Sequence, residues 1–414
     1  MRRVLLIAYH YPPLRGSSGI QRTLAFSRYL REYGWQPVVL TSHPRAYPDT
    51  GEDQLGDVPT DVPVHRAFAL DASRHLAFRG AYPKLLALPD RWSSWCLGAI
   101  PSGLRILRRY RPEVLWSTYP IATAHLIGLC LHSLSGIPWI ADFRDSMTEP
   151  HYPPDATVRS VYRRIERSTV ARATRTVFTT PGALRMYAER YPHLPATRWA
   201  VIPNGYDEEK FLDAERGASG SSVERSCITL IHSGLLYPSE RDPRAFFGAI
   251  AALRRDGRVS PSTLQIVLRG SGFDDTYRPM VREAGIDNIV RLEPQVGYRA
   301  ALAEMLAADG LLLFQASNSN HQIPAKVYEY LRARRPIFAM TDVAGDTARV
   351  LATAGIDTVA PLDSQPRIVE GLARFLDAIR LGTAPVPGQD EILRHSRRSR
   401  AGELAALLDT AVRG

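Results

Sequence analysis

Cysteine is scarce in this sequence of 414 residues, in which only Cys96, Cys130 and Cys227 occur. The number is odd, and no two of the cysteines have the spacing of a CxxC or zinc-binding motif, so neither a disulfide framework nor a zinc site is expected. The chain also lacks any run of about 18 uninterrupted apolar residues, the length that a membrane-spanning helix needs. The sequence therefore predicts a protein that does not cross a bilayer and that suits a reducing compartment.

Two common nucleotide-binding signatures are missing as well. The first predicted strand is followed by Tyr11 to Arg22, a stretch with glycines and hydroxyls but with neither GxGxxG spacing nor a P-loop lysine. A dinucleotide-dependent dehydrogenase and a P-loop NTPase are therefore not supported. The chain has no internal repeat of about 20 to 50 residues, which argues against a solenoid.

Lysine is the second scarce residue type, because only Lys84, Lys210 and Lys326 occur among 52 basic residues. The basic residues are unevenly balanced: residues 1–200 hold 26 of them against 15 acidic residues, whereas residues 201–414 hold 26 against 27. The N-terminal half therefore favours an anionic membrane surface, a phosphorylated acceptor or nucleic acid as partner. An arginine-rich solvated surface explains the same excess without a partner.

Residues 71–98 interleave aromatic and basic side chains and match neither a strand nor a helix pattern. Such an insertion can face an acceptor or a membrane interface, or it can be a loop packed over the core. It contains no recognised nucleic-acid-binding motif, so nucleic acid is the less favoured partner.

Short apolar runs alternate with longer helix-like stretches along the whole chain, which predicts α/β domains with parallel sheets. A Gly/Ser-rich stretch at residues 215–222 has the composition of a linker. We therefore predict an N-terminal domain over residues 1–215, a C-terminal domain over residues 223–388 and a terminal helix over residues 389–414.

Two candidate sites follow predicted strands in the N-terminal half. The loop that contains Gly16, Ser17, Ser18 and Gly19 precedes the first helix, where free backbone N–H groups and the helix dipole favour phosphate. Trp139 to Asp145 is a buried strand that ends in charged groups, and Asp142 could orient an acceptor hydroxyl or accept its proton. An ion pair of Arg144 with Asp142 or Asp145 is the alternative to a catalytic role.

In the C-terminal half, glycines again follow strands. Gly234 lies in the stretch HSGLLY, ahead of Arg241, and Gly270 and Gly272 lie in RGSG, so two successive loops predict an anion or nucleotide site.

The strongest motif in this half is residues 320–330, in which Pro324 suits the first turn of a helix. Lys326 can neutralise a phosphate there, and Glu329, three residues on, can hold a ribose diol. A surface pair between Lys326 and Glu329 is the alternative reading.

With these motifs in this order, the chain resembles the family 4 glycosyltransferases of the GT-B fold over nearly its whole length. The stretches that carry the resemblance are YPPLRGSSGIQR, WIADFRD, VIPNGYDEEKF, HSGLLYP, RGSG and IPAKVYEYLRARRPI. The resemblance implies two Rossmann-like doubly wound domains that face each other across a cleft. It also implies transfer of a sugar from a nucleoside-diphosphate sugar with retention of configuration, with the donor on the C-terminal domain, no cofactor and no metal on the diphosphate.

Transferred to this sequence, the resemblance makes Glu329 the residue that binds the donor ribose. His321 stands eight positions earlier, where the family has a second glutamate, and Leu235 stands in the usual place of an arginine. Arg241 and Lys326 then supply the positive charge on the diphosphate.

We therefore predict catalytic roles for Asp142, Arg144, Arg241 and Lys326. The predicted donor-binding residues are Gly16, Ser17, Ser18, Gly19, Gly234, Gly270, Gly272, His321, Ile323, Lys326 and Glu329.

The expected partners are a nucleotide-sugar donor, a glycan, lipid-linked or small-molecule acceptor, and the inner face of an anionic cytoplasmic membrane, with a role in cell-surface polysaccharide biosynthesis. A sugar-nucleotide epimerase of the same fold and a non-catalytic protein that binds nucleotide sugars or nucleic acid are the alternatives.

Overall fold

The computed structural model describes residues 1–16, 19–52, 54–218 and 227–413. The chain divides into two compact units: unit 1 comprises Met1–Asn204 and Arg397–Gly414, and unit 2 comprises Gly205–Ser396. This division lies upstream of the predicted linker at 215–222, part of which falls outside the described residues. The boundary between the units lies earlier in the chain than predicted because residues 208–218 form a helix that packs within unit 2. Arg299 of unit 2 donates to the backbone carbonyl of Asp213 in this helix at 3.0 Å.

Unit 1 is a parallel sheet with helices between its strands. In the described residues the strand order is β3-β2-β1-β4-β5-β6-β7. The strands are β1 (Arg2–Ile7), β2 (Trp35–Ser42), β3 (Val64–Ala67), β4 (Val114–Thr118), β5 (Trp139–Arg144), β6 (Arg175–Phe178) and β7 (Trp199–Val201). The helices are α1 (Gly19–Tyr29), α2 (Ala72–His75), α3 (Trp95–Tyr110), α4 (Ala122–Ser135), α5 (Ala156–Arg172), α6 (Pro181–Arg190) and, from the end of the chain, α15 (Arg397–Arg413).

Unit 2 repeats this design. Its described strands have the order β10-β9-β8-β11-β12-β13, and all of the recorded pairings are parallel. The strands are β8 (Ile228–Ser233), β9 (Leu264–Arg269), β10 (Val290–Glu293), β11 (Gly310–Phe314), β12 (Ile337–Met340) and β13 (Val359–Ala360). The helices are α7 (Glu208–Ala218), α8 (Arg244–Arg255), α9 (Asp274–Glu283), α10 (Tyr298–Ala307), α11 (Lys326–Ala333), α12 (Asp346–Thr353), α13 (Gln365–Arg380) and α14 (Gln389–Arg394).

Local sequence signals explain several helix boundaries. The carboxylate of Asp155 accepts hydrogen bonds from the backbone N–H groups of Thr157 and Val158, which caps α5. Thr180 caps α6 in the same way, with Pro181 in the first turn. At the other end of a helix, Gly136 closes α4 with φ 70°, a conformation that glycine adopts without strain.

The central strands are apolar along their length because helices cover both faces of each sheet. In β1, residues 4–7 read Val-Leu-Leu-Ile and are fully buried, and β11 is buried from end to end. Such continuous apolar strands are typical of parallel sheets. The prediction of α/β domains with parallel sheets is therefore confirmed.

Some predicted elements have different bounds. The helix predicted after the loop that contains Gly16 and Gly19 is α1, which is followed by a 3₁₀ turn at Leu30–Tyr33. The predicted terminal helix at 389–414 is two helices, α14 and α15, which lie in different units. α15 joins unit 1 because Leu404 and Leu408 are fully buried in its core. No helix in the described part of the chain is long and apolar enough to span a membrane.

The strand order of each sheet reverses direction at one place, between β1 and β4 in unit 1 and between β8 and β11 in unit 2. In open α/β sheets, ligands bind beside the carboxyl ends of the strands at such a switch point. The two switch points are therefore where functional side chains are expected.

Candidate functional site

At the switch point of unit 2, His232 near the end of β8 reaches across to β11. Its Nδ1 lies 2.9 Å from the backbone carbonyl oxygen of Leu312, which can only accept, so Nδ1 carries the proton and Nε2 has a free lone pair. Burial lowers the pKa of His232 well below its usual range, and the nearby charge of Lys326 lowers it further. His232 is therefore a neutral acceptor at physiological pH.

Lys326, the first residue of α11, supplies the donor to this histidine. Its Nζ lies 3.1 Å from Nε2 of His232, and the side chain is half-buried. Burial lowers the pKa of Lys326 well below the usual lysine value; the charge of Arg241 lowers it further, and Glu329 opposes the shift. Within the described residues, the hydrogen-bond partner of this ammonium is a neutral ring, so its charge lacks the carboxylate that normally compensates a desolvated lysine.

Gly234, just beyond β8, lets the chain pass close to this ammonium. Its φ of +117° is a conformation that side chains rarely adopt, and a Cβ atom there would lie 2.9 Å from Nζ of Lys326. The backbone N–H of Gly234 donates to the carbonyl of Arg269 at 2.8 Å, which fixes the turn. Both the backbone angle and the close approach therefore require glycine at this position.

Arg241 brings a second cation to the same region. One of its guanidinium nitrogens donates to the backbone carbonyl of Leu235 at 3.0 Å, and burial lowers the pKa of the group. The side chain of Leu235 itself is exposed. The structure thus brings Arg241 and Lys326 close enough to perturb each other electrostatically, although they are far apart in sequence.

Glu329 is half-buried on α11 and accepts a hydrogen bond from the hydroxyl of Tyr298 at 2.7 Å. In the described part of the chain, Lys326 and Glu329 form no ion pair with each other, and each makes its side-chain hydrogen bond to a residue from another element. The alternative reading of a surface pair between Lys326 and Glu329 is therefore wrong.

The loop from Gln315 to Ala325 carries His321 and Ile323 toward α11. The side-chain amide of Gln315 holds the loop, because it donates to the backbone carbonyls of Ser319 at 2.7 Å and Gln322 at 2.9 Å. His321 is half-buried in a turn. Ile323, in contrast, packs in a core cluster with 6% exposure, so its side chain fixes the loop and is not available to a ligand.

Gly270 and Gly272 follow β9, and both have positive φ angles, +65° and +75°. A Cβ atom at Gly272 would lie 2.5 Å from Cδ2 of Leu235, so that glycine leaves room for the neighbouring loop. The backbone N–H of Leu236 donates to the carbonyl of Ser271 at 3.0 Å. The loop with Gly234 and the loop with Gly270 and Gly272, which together predict an anion or nucleotide site, are therefore in direct contact.

In unit 1, Asp142 forms a buried ion pair with Arg22 of α1. Nε and Nη2 of Arg22 lie 2.8 Å and 3.1 Å from the two carboxylate oxygens, and Thr118 donates to the same carboxylate at 3.2 Å. Asp142 is fully buried. Its interaction with a distant arginine, and not with Arg144, follows from the sheet, which brings the start of α1 beside the end of β5.

Arg22 also binds the backbone of the segment that follows β7. Its guanidinium nitrogens donate to the backbone carbonyls of Ile202 at 2.9 Å and Pro203 at 3.0 Å. Arg22 thus links α1, β5 and the segment after β7. Asp142 is committed to this structural link, which is a different task from the predicted handling of an acceptor hydroxyl.

Arg144 ends β5 next to a shift in strand register, with a φ of +56° that is uncommon for a residue other than glycine. Its guanidinium is buried at 9% exposure, and Nε and Nη1 have no hydrogen-bond partner. Burial lowers the pKa of this group. Nearby, burial and the charge of Arg144 lower the pKa of His10 to about 3, so His10 is neutral.

The predicted phosphate loop of unit 1 is only partly described. Gly16 is exposed with a φ of +74°, and no heavy atom would lie within 4 Å of a Cβ atom there. Gly19 is buried and begins α1. Ser17 and Ser18 lie outside the described residues.

Sequence reasoning did not assign His232, Arg22 or Tyr298 to a site, although each contacts a predicted site residue. His232 gives a weak signal, since it is an ionisable residue near the end of a partly apolar strand. Arg22 and Tyr298 lie on helices and carry no local signal. Among the described residues, no group of three or more His, Cys, Asp or Glu side chains is arranged to hold a metal ion.

Comparison with known proteins gives a family match over the N-terminal part of the chain and similar folds among solved structures. Residues 18–205 match the family described as glycosyl transferase 4-like domain. A sequence comparison with curated proteins gave no significant match.

Among solved structures, the chain is similar to sucrose-phosphate synthase from Thermosynechococcus elongatus, with a TM-score of 0.67, 14% identity and 99% of each chain covered. It is also similar to HepE from Anabaena in complex with UDP and glucose, with a TM-score of 0.65, 12% identity and 99% of each chain covered. A third similar structure is WaaG, a glycosyltransferase involved in lipopolysaccharide biosynthesis, with a TM-score of 0.61, 13% identity, and 98% of this chain and 99% of that one covered.

Proposed function

We propose that this chain, whose residues 18–205 match the glycosyl transferase 4-like domain family, is a GT-B-fold glycosyltransferase. In this proposal it moves a sugar from a nucleoside-diphosphate sugar to a glycan, lipid-linked or small-molecule acceptor with retention of configuration. In this proposal unit 2 binds the donor and unit 1 the acceptor. The proposal does not specify the nucleotide, the sugar or the linkage.

The observation that carries the proposal is the desolvated ammonium of Lys326 at the carboxyl edge of the unit 2 sheet. It is held by a neutral histidine, and Arg241 is close by. Two cations that repel each other at a switch point are destabilising unless an anion binds between or beside them. A diphosphate carries enough negative charge to compensate both.

The chemistry follows from where charge develops. When the bond between the sugar and the diphosphate breaks, negative charge grows on the leaving phosphate, and cations fixed beforehand at that place lower the barrier. We assign this role to Lys326 and Arg241, aided by the backbone around Gly234. With these cations present, we propose that no divalent metal is required, so turnover persists in the presence of EDTA.

Glu329 has the second role at the donor site. One of its carboxylate oxygens accepts from Tyr298 at 2.7 Å, which fixes the side chain and leaves further acceptor capacity on the carboxylate. We propose that this capacity binds the ribose hydroxyls of the donor. His321, in the loop ahead of α11, would then face the donor sugar.

The test is binding and turnover with full-length protein. We expect UDP, GDP or another nucleoside diphosphate to raise the melting temperature, because a ligand that binds only the native state stabilises it. Lys326→Ala should weaken that binding by about ten- to a hundredfold, the contribution of a hydrogen bond to a charged group. Lys84→Ala is the matched control, because the Lys84 side chain is 90% exposed and lies in the other unit.

Product analysis separates transfer from other reactions. A glycosyltransferase releases the free nucleoside diphosphate from its donor, at least by slow hydrolysis when no acceptor is present. Conversion of the donor sugar to its epimer without such release would instead identify an epimerase. Salt-sensitive RNA binding with no effect of any nucleoside diphosphate would contradict both enzyme assignments.

We further propose that the protein works at the inner face of a cytoplasmic membrane, in the biosynthesis of a cell-surface polysaccharide. The support lies in residues 71–98, which include the start of α3. Their exposed apolar side chains are Phe78 (77% exposed), Leu85 (77%) and Leu97 (74%), and the exposed basic residues Arg79 and Lys84 lie in the same segment. Apolar and basic side chains together suit an anionic lipid interface.

A flotation experiment tests the membrane proposal. Vesicles that contain phosphatidylglycerol should carry the protein upward at low salt, and the double variant Phe78→Ser/Leu85→Ser should stay in the soluble fraction. Equal flotation with uncharged phosphatidylcholine vesicles, or no flotation of the wild-type protein, would contradict the proposal.

A further inference from the structure

The side chain of Arg144 in unit 1 is a cation that the rest of the described structure leaves uncompensated. It is nine-tenths buried, and two of its guanidinium nitrogens have no hydrogen-bond partner. A buried guanidinium is normally paired with a carboxylate or satisfied by carbonyl oxygens, because the desolvation of an unpaired charge is unfavourable. Arg144 therefore needs an explanation beyond the folding of unit 1.

The backbone at Arg144 is held in an unusual conformation. Its φ of +56° lies in the left-handed region, and the strand register shifts between Asp142 and Arg144. The hydroxyl of Thr179 donates to the carbonyl of Arg144 at 2.7 Å, which fixes this end of the strand. Strained conformations of this kind cluster at ligand-binding and active sites.

The charges around Arg144 do not cancel. Arg22 and Arg397 both add positive charge near it, and Asp142 and Asp145 oppose them. The Asp142 carboxylate is already occupied by Arg22 and Thr118. Arg397 is itself buried, and its guanidinium donates to the neutral amide of Gln21 at 3.2 Å. Three guanidinium groups thus face two carboxylates, one of which is fully engaged.

The location of Arg144 also favours a ligand. It stands at the carboxyl end of β5, and His10 follows β1, one of the two strands that flank the switch point of this sheet. Ligands of open α/β sheets bind at that edge. Because burial and the charge of Arg144 keep His10 neutral, His10 adds no further positive charge at this edge.

We propose that Arg144 is the centre of an oxyanion site in unit 1, which binds a phosphate monoester or carboxylate group carried by the acceptor. The proposal rests on the proposed function, since it names the chemical class of the acceptor in that reaction. A guanidinium is suited to this task, because its planar fork of N–H groups matches the oxygens of phosphate and carboxylate. An anionic acceptor would thereby be preferred over a neutral sugar.

The test uses the full chain and calorimetric titration with glucose, glucose 6-phosphate, glucuronate, inorganic phosphate and UDP. We expect the wild-type protein to bind glucose 6-phosphate or glucuronate at least about tenfold more tightly than glucose, and Arg144→Met to abolish this difference. Arg111→Met is the matched control, because Arg111 is an exposed arginine of unit 1 that also has a positive φ, of 49°. It should bind the anionic sugars like the wild-type protein.

Two further readouts keep the outcomes distinct. Arg144→Met should bind UDP as tightly as the wild-type protein does. Lys326→Ala should bind UDP more weakly and should bind the anionic sugar with unchanged affinity. Arg144→Met should also melt at a higher temperature than the wild-type protein without ligand, because it removes an unpaired buried charge.

The inference is overturned if neither anionic sugar binds better than glucose, or if Arg144→Met retains the preference. It is also overturned if Arg144→Met weakens UDP binding as strongly as Lys326→Ala does, because Arg144 would then bind the donor diphosphate. If no nucleoside diphosphate binds the wild-type protein while the anionic sugars behave as expected, the donor assignment fails and the Arg144 site stands.

Discussion

The contact between Lys326 and His232 explains why a lysine can be half-buried at the edge of unit 2. The histidine donates through Nδ1 to Leu312 and accepts through Nε2 from Lys326, so its orientation is fixed by both neighbours. The pair therefore holds the ammonium in place before any ligand arrives. A cation positioned in advance loses little freedom on binding an anion, which favours both affinity and transition-state stabilisation.

The lowered pKa of Lys326 predicts that the affinity for a nucleoside diphosphate depends on pH. An anion at the ammonium restores the pKa toward its usual value of 10.5, so binding takes up a proton wherever the pH lies above the free-state pKa. The affinity for a nucleoside diphosphate should therefore fall as the pH rises through the depressed pKa of Lys326. Calorimetry in buffers with different ionisation enthalpies measures this proton uptake directly.

The control for that measurement is Lys326→Met, in which the proton uptake should disappear. Arg241, Glu329 and His232 also face the ammonium. If the uptake persists in Lys326→Met, one of those groups and not Lys326 is responsible for it.

Gly234 gives a second prediction at the residue scale. In Gly234→Ala the new methyl group would lie 2.9 Å from Nζ of Lys326, on a backbone whose φ of +117° disfavours any side chain. We expect the affinity for nucleoside diphosphates to fall by at least about tenfold, because the ammonium must shift by a few tenths of an ångström or more. Binding of UDP to the purified variant measures the effect.

Gly382→Ala tests whether backbone strain alone, without a contact to the Lys326 ammonium, weakens UDP binding. Gly382 also lies in unit 2 with a positive φ, of +66°, but no heavy atom would lie within 4 Å of a Cβ atom there. This variant should lose some stability and keep its affinity for UDP. Equal losses of affinity in both variants would show that backbone strain, and not the ammonium, is the cause.

At the scale of elements, the local motif around α11 was predictable and its surroundings were not. Lys326 and Glu329 are three residues apart, so a helix places both near its N-terminal end. The helix predicted to start near Pro324 is α11, which begins at Lys326. Their partners, His232 and Tyr298, come from another strand and another helix. Periodicity within a segment carries no information about such long-range contacts.

The same limit explains the pairing of Asp142. Arg144 is its nearest basic residue in sequence, and residues two apart share a face in a regular strand, but the register shift between Asp142 and Arg144 interrupts that alternation. Arg22 reaches Asp142 because the sheet brings α1 to the end of β5. The division after Asn204 was missed for a related reason, since composition marks flexible segments whereas packing decides which unit a helix joins.

The terminal helix α15 makes a prediction about stability. Leu404 is fully buried in the core of unit 1, although it lies some two hundred residues beyond Asn204. Leu404→Ala should destabilise unit 1 by about 2–5 kcal/mol, the usual effect of removing a buried leucine side chain.

Tryptophan fluorescence measures this destabilisation selectively, because all six tryptophans of the chain lie in unit 1. Unfolding in urea should show a lower midpoint for Leu404→Ala and an unchanged midpoint for Val412→Ala, whose side chain lies at the exposed end of α15. An unchanged midpoint for Leu404→Ala would mean that α15 contributes little to unit 1.

At the scale of the whole molecule, each unit has its own sheet, its own core clusters and its own switch point. The carboxyl edge of each sheet carries a cation that the described structure leaves without a carboxylate hydrogen-bond partner, Lys326 in unit 2 and Arg144 in unit 1. An enzyme that joins two substrates needs two binding sites. Our account assigns the donor diphosphate to the first of these cations and an anionic acceptor to the second.

The most direct measurement of the donor assignment is nuclear magnetic resonance of the lysine side chains, because the chain holds only three lysines. With ¹³C-labelled lysine, the signal that is lost in Lys326→Arg belongs to Lys326. Our account predicts that this signal titrates well below pH 10.5 in the free protein, and that a nucleoside diphosphate shifts it and raises its pKa. A Lys326 signal that no nucleoside diphosphate changes, while one of them binds the protein elsewhere, would contradict the account.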